Sequence, residues 1–183
     1  MNKQLLDYFN GDELAASVWL GKYAAEGEET PDDTHRRMAK EFWRVDKDYQ
    51  ERESEDKREI LSEYGKIRNN LSEQSIYELF KDFKYVVPQG SIMSGLGTNI
   101  PVSYSNCVVV DSVLDSYGGI MYTDTQLVQL FKRRCGVGFD ISNLRPNNST
   151  VKNSAKTSTG VVSFMDRFSN STREVAQDGR RGK

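Results

Sequence analysis

Between Val102 and Ile141 the chain switches period twice, and that switch narrows the possible folds more than any other feature. Val102-Ser-Tyr-Ser-Asn-Cys-Val-Val-Val-Asp111 is rich in β-branched residues and ends at a turn, the pattern of a buried strand. Thr123-Asp124 offers a cap for a helix through Leu127, Leu130 and Phe131. Lys132-Arg133-Arg134 closes that helix against its dipole before Gly136. Val137-Gly-Phe-Asp-Ile141 reads as a second strand. Strand, helix and strand in that order imply a right-handed crossover and a parallel pair, so the expected class is α/β, the beginning of a sheet or barrel. Asn147 to Thr159 reads as polar loop, and Val161 to Val175 resumes a helical pattern ahead of Gln177-Asp-Gly-Arg-Arg-Gly-Lys183.

The residues before Val86 to Pro88 have a different character, charged and helical where the second half is rich in Ser, Asn, Gly and Val. Asp12-Glu13 opens a helix with Leu14, Val18, Trp19 and Tyr23 on one side, and Gly27 is expected to end it. A second start is sharper. Thr30 caps, Pro31 fits the first helical position and Asp33 lies where a capping-box acid belongs, with Met38, Phe42 and Trp43 as the expected core face. Asp46 to Lys66 is very polar, with Ile60, Leu61 and Tyr64 as its few apolar contacts, and reads as exposed helix or loop. Ser75 to Phe80 makes a short buried helix that leads into a Gly- and Ser-rich loop, Pro88 to Thr98, where function is first to be sought.

Bulk properties remove several classes. The 183 residues suffice for one sizeable core or equally for part of a larger domain, and length alone does not decide between them. A net charge of −2 gives no polyanion-binding surface, so DNA and RNA are not expected partners. No apolar run approaches the roughly 20 residues of a membrane helix, and Met1-Asn-Lys-Gln4 leads into no signal-like core, so no membrane association and a cytoplasmic location are expected. Cys107 and Cys135 are too few for a disulfide framework and are either core fillers or redox groups. The single histidine, His35, argues against a histidine-based metal or acid–base site, and Asp32 and Asp33 fit a helix start better than a metal cluster.

Taken singly, the remaining candidates stay open. Cys107 on a strand is by itself more often a packing residue, and Cys135, beside Arg133 and Arg134 at a helix end, has either a lowered thiol pKa or a structural role. Asp111 and Asp140 close strands, where acids usually accept from turn amides. Gly179-Arg-Arg-Gly182 suits a nucleotide phosphate or base, or else is a solvated tail. Gly136-Val-Gly138 lacks a third glycine and precedes a strand, so it is no phosphate-binding fingerprint.

In combination these segments are specific. Pro88-Gln-Gly-Ser-Ile-Met-Ser-Gly95, Ser105-Asn-Cys107, Asp115-Ser-Tyr-Gly-Gly119, Lys132-Arg-Arg-Cys-Gly-Val-Gly138 and Leu144-Arg-Pro146 stand in the order found in ribonucleotide reductase large subunits. Ser158-Thr-Gly-Val-Val-Ser-Phe-Met165, Arg167 to Gln177 and Gly179-Arg-Arg-Gly182 continue the series, and Gly27 to Met38 looks like the family's core entry. The chain therefore resembles that family over essentially its whole length, with wording nearest the aerobic two-subunit diphosphate reductases.

The resemblance implies a helical amino-terminal region, 1–101, without the family's ATP-binding activity domain, and then the first strands and helices of a ten-stranded α/β barrel, 102–183, incomplete in this chain. It implies that Cys107 is one of two cysteines that reduce the substrate's 2′-carbon, pairing as a disulfide with a partner beyond Lys183. Gly90, Ser91, Ser105 and Asn106 match substrate-holding positions. Asp115, Ser116 and Arg145 match effector contacts, and Gln177 and Arg181 the second effector loop, which relays effector identity to the substrate. Cys135 falls where a small residue is usual and is expected to be structural. No cofactor is expected on this chain itself; dNTP and ATP effectors, nucleotide substrates and a thioredoxin or glutaredoxin reductant are. The radical is expected from a separate small subunit of the dimetal ferritin-like type. Because the radical cysteine and second redox cysteine lie outside these residues, the isolated chain is expected to be inactive. A complementary carboxy-terminal fragment is expected to complete it, with a non-catalytic dNTP-binding fragment or a truncated product as alternatives.

Overall fold

The computed structural model describes residues 2–52, 62–67, 69–177 and 180–181. These form two compact units, Met1–Ile100 and Pro101–Lys183.

The first unit is helical. Asn2 and Asp12 each accept a backbone N–H at 2.9 Å, from Gln4 and Ala15, and so start α1 (Lys3–Tyr8) and α2 (Glu13–Lys22). Leu5, Ala16 and Trp19 bury between the two helices, with Leu6, Phe9 and Tyr23 at the margin. The core stripe of α2 is thus narrower than its apolar spacing predicts, because α1 covers one side only and Leu14 stays 74% exposed. The helix also stops at Lys22, not Gly27, which instead turns the chain between Ala25 and Glu28 with φ +86°.

α3 (Pro31–Arg52) begins as its sequence predicts. The Asp33 carboxylate accepts from the Thr30 N–H at 2.9 Å, the Glu29 N–H at 3.0 Å and the Thr30 hydroxyl at 3.2 Å. The buried stripe is Thr34, His35, Met38 and Ala39, flanked by Trp43; Phe42 is 40% exposed and only stacks on Phe80. The face is therefore rotated toward the helix start relative to the expected Met38, Phe42 and Trp43. α3 carries the polar stretch as far as Arg52. Of its expected apolar contacts, Ile60 and Leu61 lie outside the described residues and Tyr64, on α4 (Glu63–Ile67), is exposed.

Ser72 caps α5 (Glu73–Phe80), whose Ile76, Tyr77 and Phe80 close the core with Met38, Ala39, Met93 and Leu96. A 3₁₀ turn, Lys81–Phe83, follows, with Asp82 and Phe83 both at φ 55°. Pro88 to Thr98 is not the loop its glycines and serines suggest: α6 spans Gly90–Gly95, with Ser91, Met93 and Ser94 buried. Six residues are too few for a helix to persist unaided, so packing of Met93 and Leu96 overrides local propensity.

In the second unit β1 (Cys107–Val109) and β2 (Gly136–Gly138) pair in parallel, in register Cys107 with Gly136 and Val109 with Gly138. Both strands are shorter than the apolar runs imply, and β1 is exposed at Cys107 and Val109 rather than buried. Among the described residues β2 is its one strand neighbour, and a parallel strand is covered only when neighbours and helices flank it. The crossover helix α7 (Tyr117–Phe131) starts at Ser116, whose hydroxyl accepts from the Gly119 N–H at 3.0 Å. Thr123 and Asp124 are buried mid-helix residues, not the cap. Gly119 makes the earlier start possible, since a Cβ there would stand 2.5 Å from Leu114 Cβ and 2.8 Å from its carbonyl oxygen.

α8 (Val161–Glu174) lies along α7, joined by the Arg167–Asp124 pair at 2.9 Å. Val113, Ile120, Leu127, Phe131, Leu144 and Phe168 form the core of this unit. Short antiparallel strands β3 (Ala176–Gln177) and β4 (Arg180–Arg181) end the described chain. The observed architecture is a mixed helix and strand fold with a small, open sheet, and no described helix is long and apolar enough to cross a membrane.

Candidate functional site

A cavity lies wholly within the second unit, where the residues after β1 meet those after β2. Its volume is about 330 Å³. Asp115, Ser116, Tyr117 and Ile120, around the start of α7, form one wall, and Arg145 with Val151, Lys152 and Asn153 forms another. Ser158, Thr159 and Phe164 complete it.

Arg145 and Asp115 are bound to each other. Arg145 Nε donates to Asp115 Oδ2 at 2.7 Å, and the Arg145 backbone N–H donates to Oδ1 at 3.3 Å. Nη1 also reaches the Thr150 carbonyl at 3.2 Å, which ties the guanidinium to the loop beyond it. That loop is not slack. The Asn148 N–H donates to the Ser158 carbonyl and the Ser158 N–H to the Ser149 carbonyl, each at 2.9 Å; Thr150 bridges Thr157, and the Val151 N–H donates to the Lys156 carbonyl at 2.9 Å. The loop closes at Gly160, whose φ of +82° and approach to Asn147 exclude a side chain.

The cavity's polar wall carries one carboxylate, Asp115, against two cations, Arg145 and Lys152, and faces the amino end of the 15-residue helix α7. Such a wall favours an anion. Tyr117 and Phe164, with ring centroids 6.5 Å apart, add an aromatic side. Phosphate oxygens on the cations, a hydroxyl on Asp115 and a flat ring against the aromatics would satisfy all three parts.

The other sequence candidates fall elsewhere. Cys107 opens β1 with its thiol exposed, and a Cβ on its register partner Gly136 would lie 3.2 Å from the Cys107 Sγ. Ser105 and Asn106 precede it, and the Asn106 carbonyl accepts from the Gly136 N–H at 2.6 Å. Cys135 is fully buried, its Sγ 3.5 Å from the Gly136 carbonyl oxygen. Gly90 and Ser91 belong to α6 in the first unit, with Ser91 buried. Gln177 pairs with Arg180 and Ala176 with Arg181 in the last hairpin; the residues 178, 179, 182 and 183 of the Gly-Arg-Arg-Gly stretch lie outside the described set. Asp140 is a turn acid, held below the usual carboxylate range by hydrogen bonds from the Ser142 hydroxyl and N–H. Among the described residues no three His, Cys, Asp or Glu side chains cluster as a metal site.

Residues 105–183, which contain the whole cavity, match the family model of the ribonucleotide reductase barrel domain. Curated relatives extend the similarity to two thirds of the chain. The ribonucleoside-diphosphate reductase subunit alpha of Buchnera aphidicola subsp. Schizaphis graminum is 29% identical over 124 residues, which is 67% of this chain and 16% of the relative. Residues 105–183 thus carry the ribonucleotide reductase barrel domain, and two thirds of the chain is similar to ribonucleotide reductase large subunits. Ribonucleoside-diphosphate reductase 1 subunit alpha of Escherichia coli strain K12 is 28% identical over 123 residues, again 67% and 16% of the two chains. The subunit alpha of Enterobacteria phage T4 is 29% identical over 91 residues, 50% and 12% respectively. The chain thus spans about one sixth of the length of the Buchnera and Escherichia reductases it matches.

Within this reductase-family segment the structure brings together three residues that the sequence singles out, Asp115, Ser116 and Arg145. Lys152, Tyr117 and Phe164 join them unannounced. Lys152 sits in what reads as featureless polar loop, and the backbone bonds that fold this loop, the Thr150–Thr157 bridge among them, place it on the same cavity.

Proposed function

We propose that this chain is the amino-terminal part of a ribonucleoside-diphosphate reductase large subunit, and that its cavity is the seat of a deoxynucleoside triphosphate effector. The observation that carries the reading is the closed Asp115–Arg145 pair in a cavity whose walls supply two cations and two aromatic rings. An effector's phosphates would draw Arg145 and Lys152, its sugar hydroxyl would take Asp115, and its base would lie toward Tyr117 and Phe164. Ser116 holds the start of α7 in place. Gln177 and Arg181, after α8, would carry the effector's identity onward.

Cys107 serves the reduction itself. Its exposed thiol is one of a pair that together give two electrons and two protons: the substrate's 2′-carbon gains hydrogen, its hydroxyl leaves as water, and the two sulfurs join as a disulfide. The second thiol and the radical chemistry come from the remaining barrel and from a separate radical-generating subunit, with Gly90, Ser91, Ser105 and Asn106 holding the ribonucleotide. A thioredoxin or glutaredoxin would restore the thiols. Completion of a ten-stranded barrel by the remaining part of the large subunit belongs to the same proposal, supported by the small open sheet of β1 and β2, whose edges are unpaired among the described residues and favour association.

A binding module without catalysis is the second reading, favoured by the fact that every wall of the cavity comes from one unit. Calorimetric titration of the chain with dTTP and dATP tests the effector site. Binding that weakens ten- to a hundredfold in Arg145→Ala is expected, since a charge-assisted bond is worth about 1.5–3 kcal/mol. Equal binding by wild type and Arg145→Ala, or none by either, refutes the effector reading. Adding the complementary part of a large subunit and a radical subunit then separates the two readings: diphosphate reduction supports the enzyme, and its absence leaves the module.

A further inference from the structure

We propose that Arg37 is a positioning residue for the segment carrying Gly90 and Ser91, which it holds by the carboxyl end of α6 through a buried pair with Glu28. The inference rests on the reading of Gly90 and Ser91 as substrate contacts.

Arg37 and Glu28 have side chains only 13% and 8% exposed. Arg37 Nε donates to Glu28 Oε1 at 2.7 Å and Nη2 to Oε2 at 3.3 Å. Oε2 also accepts from the Ala25 N–H and the Thr34 hydroxyl, each at 2.7 Å, so the carboxylate is anchored to the turn before α3 and to α3 itself. The guanidinium has donors to spare. Nη2 donates to the Met93 carbonyl at 2.9 Å, and Nη1 to that of Leu96.

Those two carbonyls belong to the last turn and the cap of α6, where a helix runs out of internal donors. A cation placed there satisfies them and complements the helix dipole. Apolar contacts of Met93 and Leu96 with Met38 and Ala39 hold the helix down, but they are non-directional. The planar fork of Arg37 adds direction: it fixes how far the six residues advance and how they are rotated, and hence where Gly90 and Ser91 come to lie. Lysine, a point charge with no fork, cannot bridge the carboxylate and both carbonyls in one plane. Displacements near 1 Å in groups that position a reactant can change rates by about a hundredfold, so a small rotation is enough to matter.

The test uses the full chain with CDP as probe. Arg37→Gln and Arg37→Lys are compared with Ser91→Ala and with a double variant, Glu28→Gln/Arg37→Met, which replaces the ion pair by groups that need no charge compensation. Amide exchange at Ile92, Met93 and Leu96 is expected to rise at least tenfold in Arg37→Gln, relative to amides of α7. CDP affinity is expected to fall at least fivefold in Arg37→Gln and Arg37→Lys. The double variant is expected to recover the unfolding midpoint without recovering CDP affinity, which a purely stabilising role would restore together. Unchanged exchange in α6, or CDP affinity that follows stability through the whole series, overturns the proposal. If Ser91→Ala weakens CDP and Arg37→Gln does not, the positioning role alone fails. If Ser91→Ala matches the wild type, bound or unbound, the substrate reading fails and takes the positioning role with it.

Discussion

His35 lies entirely inside the first unit, and as the chain's one histidine it can be titrated apart from every other side chain. Its ring meets Phe83 edge-on at 4.6 Å, and neither ring nitrogen has a hydrogen-bond partner among the described residues. Burial pushes its pKa below the ordinary 6.5, and the nearby carboxylates of Asp32, Asp82 and Glu28 pull the other way without reversing it. Below about pH 6.5 the unfolded chain therefore takes up a proton that the folded chain refuses. Stability is complete above that pH and is lost as pH falls, at up to about 1.4 kcal/mol per pH unit until the folded pKa is reached. From about pH 7.5 to 5.5 one such proton costs up to about 1.4 kcal/mol. His35→Leu removes the proton site and two unpartnered buried nitrogens, each of which costs about 1–3 kcal/mol before any loss from repacking. The variant should be more stable by about 1 kcal/mol at pH 7.5 and by about 2 kcal/mol at pH 5.5. Both tryptophans, Trp19 and Trp43, lie in the first unit, so urea unfolding followed by their fluorescence reads the relevant core. Parallel losses of stability in wild type and variant between the two pH values would refute the argument.

Two further outcomes follow from the second unit. Gly160→Ala forces a side chain into a φ of +82° with its Cβ 2.7 Å from the Asn147 nitrogen, so a loss of about 1–3 kcal/mol is expected in far-ultraviolet dichroism melts, together with weaker dNTP binding; a variant as stable as the parent would contradict the loop geometry. Iodoacetamide should modify Cys107 in the folded chain and leave fully buried Cys135 untouched until denaturant is added, as mass spectrometry of the two cysteine peptides would show; equal labelling in the folded state would speak against the placement of Cys135.

How much of this was legible in the sequence depended on whether the signal was local. The start of α3 was, because Thr30, Pro31 and Asp33 act within four residues of one another, and the parallel pairing of β1 with β2 was, because one crossover helix of ordinary length leaves few alternatives. The start of α7 was misread. Thr123-Asp124 has good cap chemistry, but Ser116 reaches Gly119 first, and the bare backbone of Gly119 fits against Leu114, a contact that no propensity scale registers. α6 was misread as loop for a related reason: its glycines and serines are poor helix formers, and the helix is held by Met93 and Leu96 in a core assembled from α3 and α5. The burial of β1 was overestimated, since β-branched residues such as Val108 and Val109 favour a strand whether or not it is covered, and among the described residues β1 pairs with β2 alone.

The cavity itself follows from topology once the pairing is known. In a parallel β-α-β unit both strands run the same way, so the residues that leave β1 and those that leave β2 emerge at one edge of the sheet, which is where ligands of open α/β sheets are bound. Asp115 leaves β1 and Arg145 leaves β2; thirty residues apart in sequence, they meet at 2.7 Å. Cys107 stands at the other end of the same strand. A ligand that separates Asp115 from Arg145 therefore pulls on the segment 110–115 that continues directly from the thiol's own strand, and the bond from the Val113 N–H to the Asp140 carbonyl at 3.0 Å ties that segment to the exit of β2. With three paired residues in each strand, this short doubled backbone links the cavity wall at Asp115 to the strand that begins at Cys107.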